Sequence, residues 1–272
     1  MNNYSFRKLK SRFFLLLSLI CVIIAVIPLL SILIEVVARG ASQINFQFLF
    51  SENGIGPAIQ GTLILIGITV LIGMPLGIMS GVYLAEYGNN RYASWMRTFN
   101  DLLTEFPSIV IGITVSVIVV INIIGSYSAI AGAVALSFML IPIVARTTEE
   151  SLKLVPSSVR EASMALGVHR WKTIVRVVLP TARSGLITGA LLAVARIAGE
   201  TAPLIMTIVG SRYFFQSFSY RMDALPIRIW RDAIQPSASV QAEGWGAALV
   251  LILIVLSLNI GVRLASRGRL RR

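Results

Sequence analysis

Six stretches of this chain are apolar over lengths that suit the inside of a membrane, and that feature constrains the fold more than any other. They run at about 13–38, 58–86, 106–124, 127–145, 184–209 and 246–265. A bilayer core takes roughly 20 apolar residues per helix. None of the six alternates with a two-residue period, which argues against a β-barrel. The third and fourth are separated only by Gly125 and Ser126 and read as a tight helical hairpin. Charged residues are 13% of the 272, about half the share usual in soluble domains, and hydrophobic residues are 56%. Those values argue against a soluble enzyme and against a disordered chain. The predicted fold class is an all-α polytopic membrane protein with six transmembrane helices.

The formal charge of +12 then acquires a topological meaning. With the N-terminus placed on the cytoplasmic side, 18 of the 24 Lys and Arg residues fall in inside segments and five in outside segments, and Arg196 lies within a span. Basic residues are retained on the inner side, so both termini are expected in the cytoplasm. Nucleic-acid binding is unnecessary to explain the charge, since the basic tails suit anionic lipid. The first span is too long for a secretory core and has no small-x-small cleavage site, and Cys21 follows Ile20, so neither signal cleavage nor lipoprotein processing is expected. A lone Cys21 cannot form an internal disulfide, and a lone His169 offers no metal cluster. The expected localisation is the plasma membrane.

Helices in lipid need small residues to approach one another. Gly73, Gly77 and Gly81 share one face of span two. Ser108, Gly112 and Ser116 do the same in span three, and Gly125, Ala129, Ala133 and Ser137 in span four. Pro75, Pro142 and Pro203 lie within spans two, four and five, where each removes a backbone donor. Two loops are long enough for their own structure, 146–183 inside and 210–245 outside.

The inside loop carries EASMALGVHRWKTIVRVVLP at 161–180. Ser158 with Glu161 three residues later predicts a capping box, Gly167 a left-handed stop, and 168–178 a second helix that ends at Pro180, with Val168, Trp171, Val175 and Val178 on one face. Met164, Ala165, Leu166 and Trp171 near the turn suit insertion into a partner's groove, or a hairpin lying on the membrane surface. In span five, Arg196 and Glu200 stand four apart near mid-membrane, beside Thr201 and Pro203. A central charge costs roughly 2.5–3.5 kcal/mol, so the pair should face a path or each other. It reads either as an ion pair that packs helices or as a site on the path of an oxyanion, which Arg recognises with planar, multiple donors. Glu200 would keep Arg196 from becoming a trap and would accept a hydrogen bond from a protonated oxyanion. The outside loop interleaves Tyr213, Phe214, Phe215, Phe218, Tyr220, Trp230 and Trp245 with Arg212, Arg221, Arg228 and Arg231, with a short amphipathic helix expected near 219–233. Aromatic residues of this kind also mark a lipid boundary.

These segments resemble a known family. Glu161, Ala162, Gly167, Leu179 and Pro180 match the E-A-A-x3-G-x9-I-x-L-P loop of ABC-importer permeases, with Ser163 for the second Ala and Val177 for Ile. RIAGETAPL at 196–204, NDLLTEFPSIVIGI at 100–113 and MDALPIRIW at 222–230 are similar to the permeases of phosphate importers. The resemblance implies a type I (MetI-like) permease fold over residues 55–268, with 1–54 holding the N-terminal tail, the first helix and the start of an external loop. It makes Glu161, Ala162, Met164, Ala165, Leu166, Gly167 and Trp171 the contact to an ATPase, and Arg196, Glu200 and Thr201 the substrate pathway. It implies docking of a soluble phosphate-binding protein near Arg221, Arg228, Trp230 and Arg231. No G-x-x-x-x-G-K-[ST] occurs, so ATP and Mg would be used by separate ATPase subunits, and this chain is expected to have no catalytic residue, metal or cofactor. A second permease chain, two ATPase subunits and phosphate complete the expected partners. The alternatives are a permease for another oxyanion or nutrient, and an autonomous ion-coupled transporter.

Overall fold

A computed structural model describes residues 2–267, with side chains described for 6–264; Arg269, Arg271 and Arg272 of the basic tail lie outside the described residues. Among the described residues the elements are all helical, and the main ones are α1 (Asn2–Gly40), α2 (Gly56–Glu86), α3 (Arg91–Glu105), α4 (Ser108–Val115, continued by π-type turns over Ser116–Ile124), α5 (Ala129–Lys153), α6 (Ser157–Ala165), α7 (Arg170–Thr173), α8 (Arg183–Ala198), α9 (Ala202–Thr207), α10 (Leu225–Ala233) and α11 (Ala238–Arg267). Four helices are long and apolar enough to cross a membrane alone: those at Phe6–Gln43, Gly56–Glu86, Ala129–Lys153 and Ala238–Leu264. Two further candidates are bent pairs, Arg91–Glu105 with Ser108–Ile124 at 101° and Arg170–Thr181 with Arg183–Ala198 at 71°. Composition therefore locates the apolar segments well, but two of the six expected spans are short straight pieces meeting amphipathic helices at an angle.

The bundle is organised around α5, whose spanning stretch is the most buried of the four. The α2 glycines explain how α2 reaches it. A Cβ on Gly73 would stand 2.7 Å from Leu140 Cδ2, one on Gly77 2.7 Å from Val144 Cβ, and one on Gly81 2.5 Å from Thr148 Cβ. Three glycines four apart thus meet three α5 residues also four apart, and the two helix axes come closer than any side chain would permit. Gly112 of α4 meets Pro203 of α9 in the same way, at 2.6 Å from its Cα. Gly125 differs from the expectation. It has φ +77° and no atom within 4 Å of its missing Cβ, so it turns the α4–α5 hairpin rather than packing a face. Leu65, Leu136, Leu140, Ile197, Leu204 and Ile208 lie in the central core.

Proline acts unevenly. Pro28, Pro75 and Pro142 sit inside continuous helices. Two prolines coincide with breaks: Pro107 stands between α3 and α4, and Pro203 follows the gap where α8 stops at Ala198 and α9 starts at Ala202, leaving Gly199 to Thr201 between them. Pro180 does not end the second loop helix as expected. The chain widens into π-type turns over Ile174–Val178 and continues through Leu179–Thr181, since a missing donor and a ring that crowds the preceding turn are both relieved by a wider coil.

The two long loops cap opposite ends of α5. The 210–245 loop closes on its start: Ala129 N–H donates to the Tyr220 carbonyl and Ile130 N–H to the Phe218 carbonyl. The 146–183 loop follows from its other end. α1 stands apart, with its spanning stretch unburied and its last residue, Gly40, against the Trp245 carbonyl of α11.

Candidate functional site

The break between α8 and α9 carries the chemistry. Glu200 lies in the unwound piece, so the pair read as one helical face is split: Arg196 is on the last turn of α8 and Glu200 is beyond its end. Arg196 Nε stands 4.0 Å from Glu200 Oε1, outside hydrogen-bond range, with the arginine side chain 55% exposed and the glutamate 19%. The charges attract, yet the guanidinium keeps its donors available. Both residues line a cleft of about 270 Å³ whose other walls are Leu103 to Ser108 and, from α5, Met139 and Ile143. Ser108, the first residue of α4, lines the cleft together with Glu200. Glu105 lines the same cleft. Glu105 was not singled out from sequence, and Ser108 only as part of a packing face; the signal was the E-F-P-S stretch, where Pro107 forces the chain to turn between α3 and α4. Thr201 is not among the residues that line the cleft, and its hydroxyl reaches back to the Gly199 carbonyl at 3.4 Å. A partly exposed cation with free donors, flanked by an acid, a hydroxyl and the start of a helix, suits a small oxyanion.

The 146–183 loop forms the expected pair of short helices around Gly167, which has φ +77°. The capping box does not form. Pro156 is the N-cap of α6 and no side chain caps it, because Ser158, the expected cap, already sits inside the helix. Glu161, Ala162, Met164 and Ala165 are exposed, and Leu166 is 85% and Trp171 59% exposed. The expected apolar face of the second helix divides. Ile174 and Val178 turn inward with Thr173, and Trp171 and Val175 face outward. Ser163, the departure from the E-A-A pattern, is buried with its hydroxyl 2.9 Å from that of Thr173, tying α6 to α7.

The base of this loop is fixed by charge. Arg160 donates to Glu86 Oε1 from Nε at 3.0 Å and Nη2 at 2.8 Å, and also to the carbonyls of Leu152 and Val155. Arg97 donates to Glu149 at 2.8 Å, and Lys153 does so at 2.6 Å. Arg170 stacks over Tyr87 and donates to the Glu86 carbonyl.

In the other loop, two expected docking residues are already engaged. Arg228 donates to Asp232 at 2.6 Å and Glu243 at 2.7 Å and is only 14% exposed. Arg231 donates to Asp223 at 2.9 Å. Burial pushes the Asp223 carboxyl above the usual carboxylate range, against the opposing pull of Arg231. Arg221 and Trp230 are exposed. The amphipathic helix expected near 219–233 is α10, Leu225–Ala233.

Residues 73–268 match the family described as binding-protein-dependent transport system inner membrane components. A phosphate transport system permease protein PstA of Yersinia pestis is 40% identical over 269 residues, covering 95% of this chain and 90% of that protein. The chain belongs to the PstA family of binding-protein-dependent permeases. Solved structures of a bacterial ABC transporter for the acidic polysaccharide alginate share the fold. One has TM-score 0.71 at 16% identity over 98% of this chain and 99% of that one. The other, with an alginate pentasaccharide-bound periplasmic protein, has TM-score 0.68 at 17% identity over 96% of each chain. As a PstA-family member with four to six membrane-length helices, the chain is a multi-pass membrane permease subunit of MetI-like fold.

Proposed function

We propose that this chain is the permease subunit of an ATP-driven importer of inorganic phosphate, and that the cleft of Arg196 and Glu200 lies on the path of the ion. The observation that carries the reading is a half-exposed guanidinium 4.0 Å from its carboxylate at a break in a helix. A purely structural ion pair would close to hydrogen-bond distance and bury. An arginine that holds free donors beside an unwound turn is able to exchange its ligand as the helices move. Glu200 sets an electrostatic limit on how tightly Arg196 holds an anion, and it accepts a hydrogen bond from hydrogen phosphate that sulfate has no proton to give. The Yersinia pestis relative is named for phosphate transport, which supports the same substrate.

Transport proceeds by alternating access, with helix pairs rocking to open the cleft to each side in turn. ATP and Mg belong to separate ATPase subunits, two PstB-like chains, which the exposed tip around Leu166 and Trp171 contacts with Glu161, Ala162, Met164, Ala165 and Gly167. A PstC-like chain completes the pathway. A PstS-like binding protein delivers phosphate on the side of the 210–245 loop, where Arg221 and Trp230 have the exposure that docking requires; the alginate transporter solved with a periplasmic protein supports that kind of partner. Both termini lie in the cytoplasm, as the 18-to-5 distribution of basic residues indicates.

The test is phosphate uptake and ATP hydrolysis by the reconstituted complex. Arg196→Gln is expected to abolish uptake while assembly and ATPase activity persist; failure to assemble would leave the pair a packing device. Glu200→Gln is expected to lower the preference for phosphate over sulfate, and an unchanged preference would remove Glu200 from selection.

A further inference from the structure

The 146–183 loop must do more than bind an ATPase; it must move the bundle, and one joint in the structure is built for that. Glu86 is the last residue of α2, where the helix dipole disfavours a carboxylate, and its side chain is only 5% exposed. An acid buried at that end of a helix needs strong compensation. It comes from Arg160, on α6, 74 residues away in sequence. The same guanidinium takes the Leu152 and Val155 carbonyls at the end of α5. One side chain of the loop therefore grips the ends of both α2 and α5, the two helices that the Gly73, Gly77 and Gly81 face holds together. Farther along, α5 supplies Met139 and Ile143 to the cleft of Arg196 and Glu200.

We infer that the Glu86–Arg160 pair is the joint that transmits displacement of the α6–α7 loop to the α2–α5 unit and so to the cleft. Glu86 and Arg160 are positioning residues and touch neither substrate nor nucleotide. Apolar contacts seat the loop as well, with Val155, Val178 and Ala182 packed near Val82 and Ala85. Those contacts are non-directional and allow sliding. A guanidinium shared between one buried carboxylate and two helix-terminal carbonyls does not, because a shift of an ångström unpairs a buried charge. The pair thus fixes the loop's angle on the bundle. The inference rests on the reading of Leu166 and its neighbours as the ATPase contact.

The experiment compares reconstituted complexes carrying Glu86→Gln, Arg160→Gln, the double glutamine variant and the apolar pair Glu86→Leu with Arg160→Met. Phosphate uptake, ATP hydrolysis, ATPase-subunit retention and thermal stability are measured on each. In both single glutamine variants, uptake per ATP is expected to fall at least tenfold, with hydrolysis within about two-fold of the parent and the ATPase subunit retained. The double glutamine variant is expected to be no worse than either single one. The apolar pair, which replaces a buried ion pair by packing, should keep the parent's thermal stability and still lose coupling. Uptake per ATP unchanged in the glutamine variants, or restored in the apolar pair, overturns the inference. So does a parallel fall of uptake and hydrolysis with loss of the ATPase subunit. Leu166→Asp separates the underlying reading: if it leaves ATPase-subunit retention unchanged, the contact lies elsewhere, whatever the coupling ratio of the Glu86 variants.

Discussion

The two long loops are assembled from similar material and finished in opposite ways. Each has a short helix, several arginines and a set of aromatic or aliphatic side chains. In the 210–245 loop the core of α10 is engaged within the chain: Arg228 is held by two carboxylates, Arg231 by a third, and Leu225 packs with Phe48, Ile55 and Val250, while Arg221 and Trp230 stay exposed at its rim. In the 146–183 loop only the base is satisfied, by Glu86, Glu149 and the ends of α2 and α5, while Leu166 and Trp171 at the tip face outward. The first loop closes an end of the bundle. The second is complete at its root and unfinished at its tip, as a part is when another subunit supplies the rest.

That contrast can be broken by substitution. The largest expected effect on stability is at Arg228. Arg228→Ala strands the buried Asp232 carboxylate, 4% exposed, while the half-buried Glu243 turns to solvent, a loss of about 3 kcal/mol, the low end for buried pairs. Thermal unfolding in detergent should fall steeply while ATPase binding by the remaining folded protein stays intact. Leu166→Asp should do the reverse. Removal of an 85% exposed leucine leaves unfolding unchanged, whereas loss of its burial against a partner, about 1.5–3 kcal/mol, weakens ATPase association by tenfold or more in a pull-down titration. Ser163→Ala should cost about 1 kcal/mol, and Thr173→Ala added to it nearly nothing further, since the two hydroxyls satisfy each other. The smallest effect concerns pH. Because burial raises the Asp223 carboxyl above its unfolded value, the folded loop binds that proton more tightly than the unfolded one. Stability from this group is fully present at low pH and declines as pH rises through the folded value. Hydrogen-exchange protection in 210–233, taken relative to the intrinsic exchange rate at each pH, should therefore be greater in mildly acid buffer, and Asp223→Asn should remove that pH dependence of protection.

Local features of this sequence were legible and distant partners were not. The positions of the apolar segments, the left-handed turn at Gly167, the α2 glycine face and the proximity of Arg196 to Glu200 all follow from composition or from spacing within one turn or two. The partner of Arg160 is 74 residues away, that of Arg97 is 52 away, and the wall opposite Arg196 comes from the turn at Phe106 and Pro107. No periodicity encodes such pairings. Local rules also failed where geometry had several answers. The capping box at Ser158 lost to a helix whose cap lies two residues earlier, at Pro156, and Pro180 was absorbed by a wider coil instead of ending the helix. At the cleft, the four-residue spacing of Arg196 and Glu200 suggested one continuous helical face, but Gly199 and Pro203 let the chain unwind between α8 and α9.

The glycine face of α2 has a mechanical consequence. A single helix of 31 residues is about 46 Å long and bends under modest load. Two helices fused along their length, with backbone against side chain at Gly73, Gly77 and Gly81, resist bending as a laminated beam does, because flexure would require one layer to shear past the other. A beam of that kind carries a small tilt imposed at one end to its far end with little attenuation. Glycine, the residue that most loosens an isolated chain, is here what makes the assembled pair stiff.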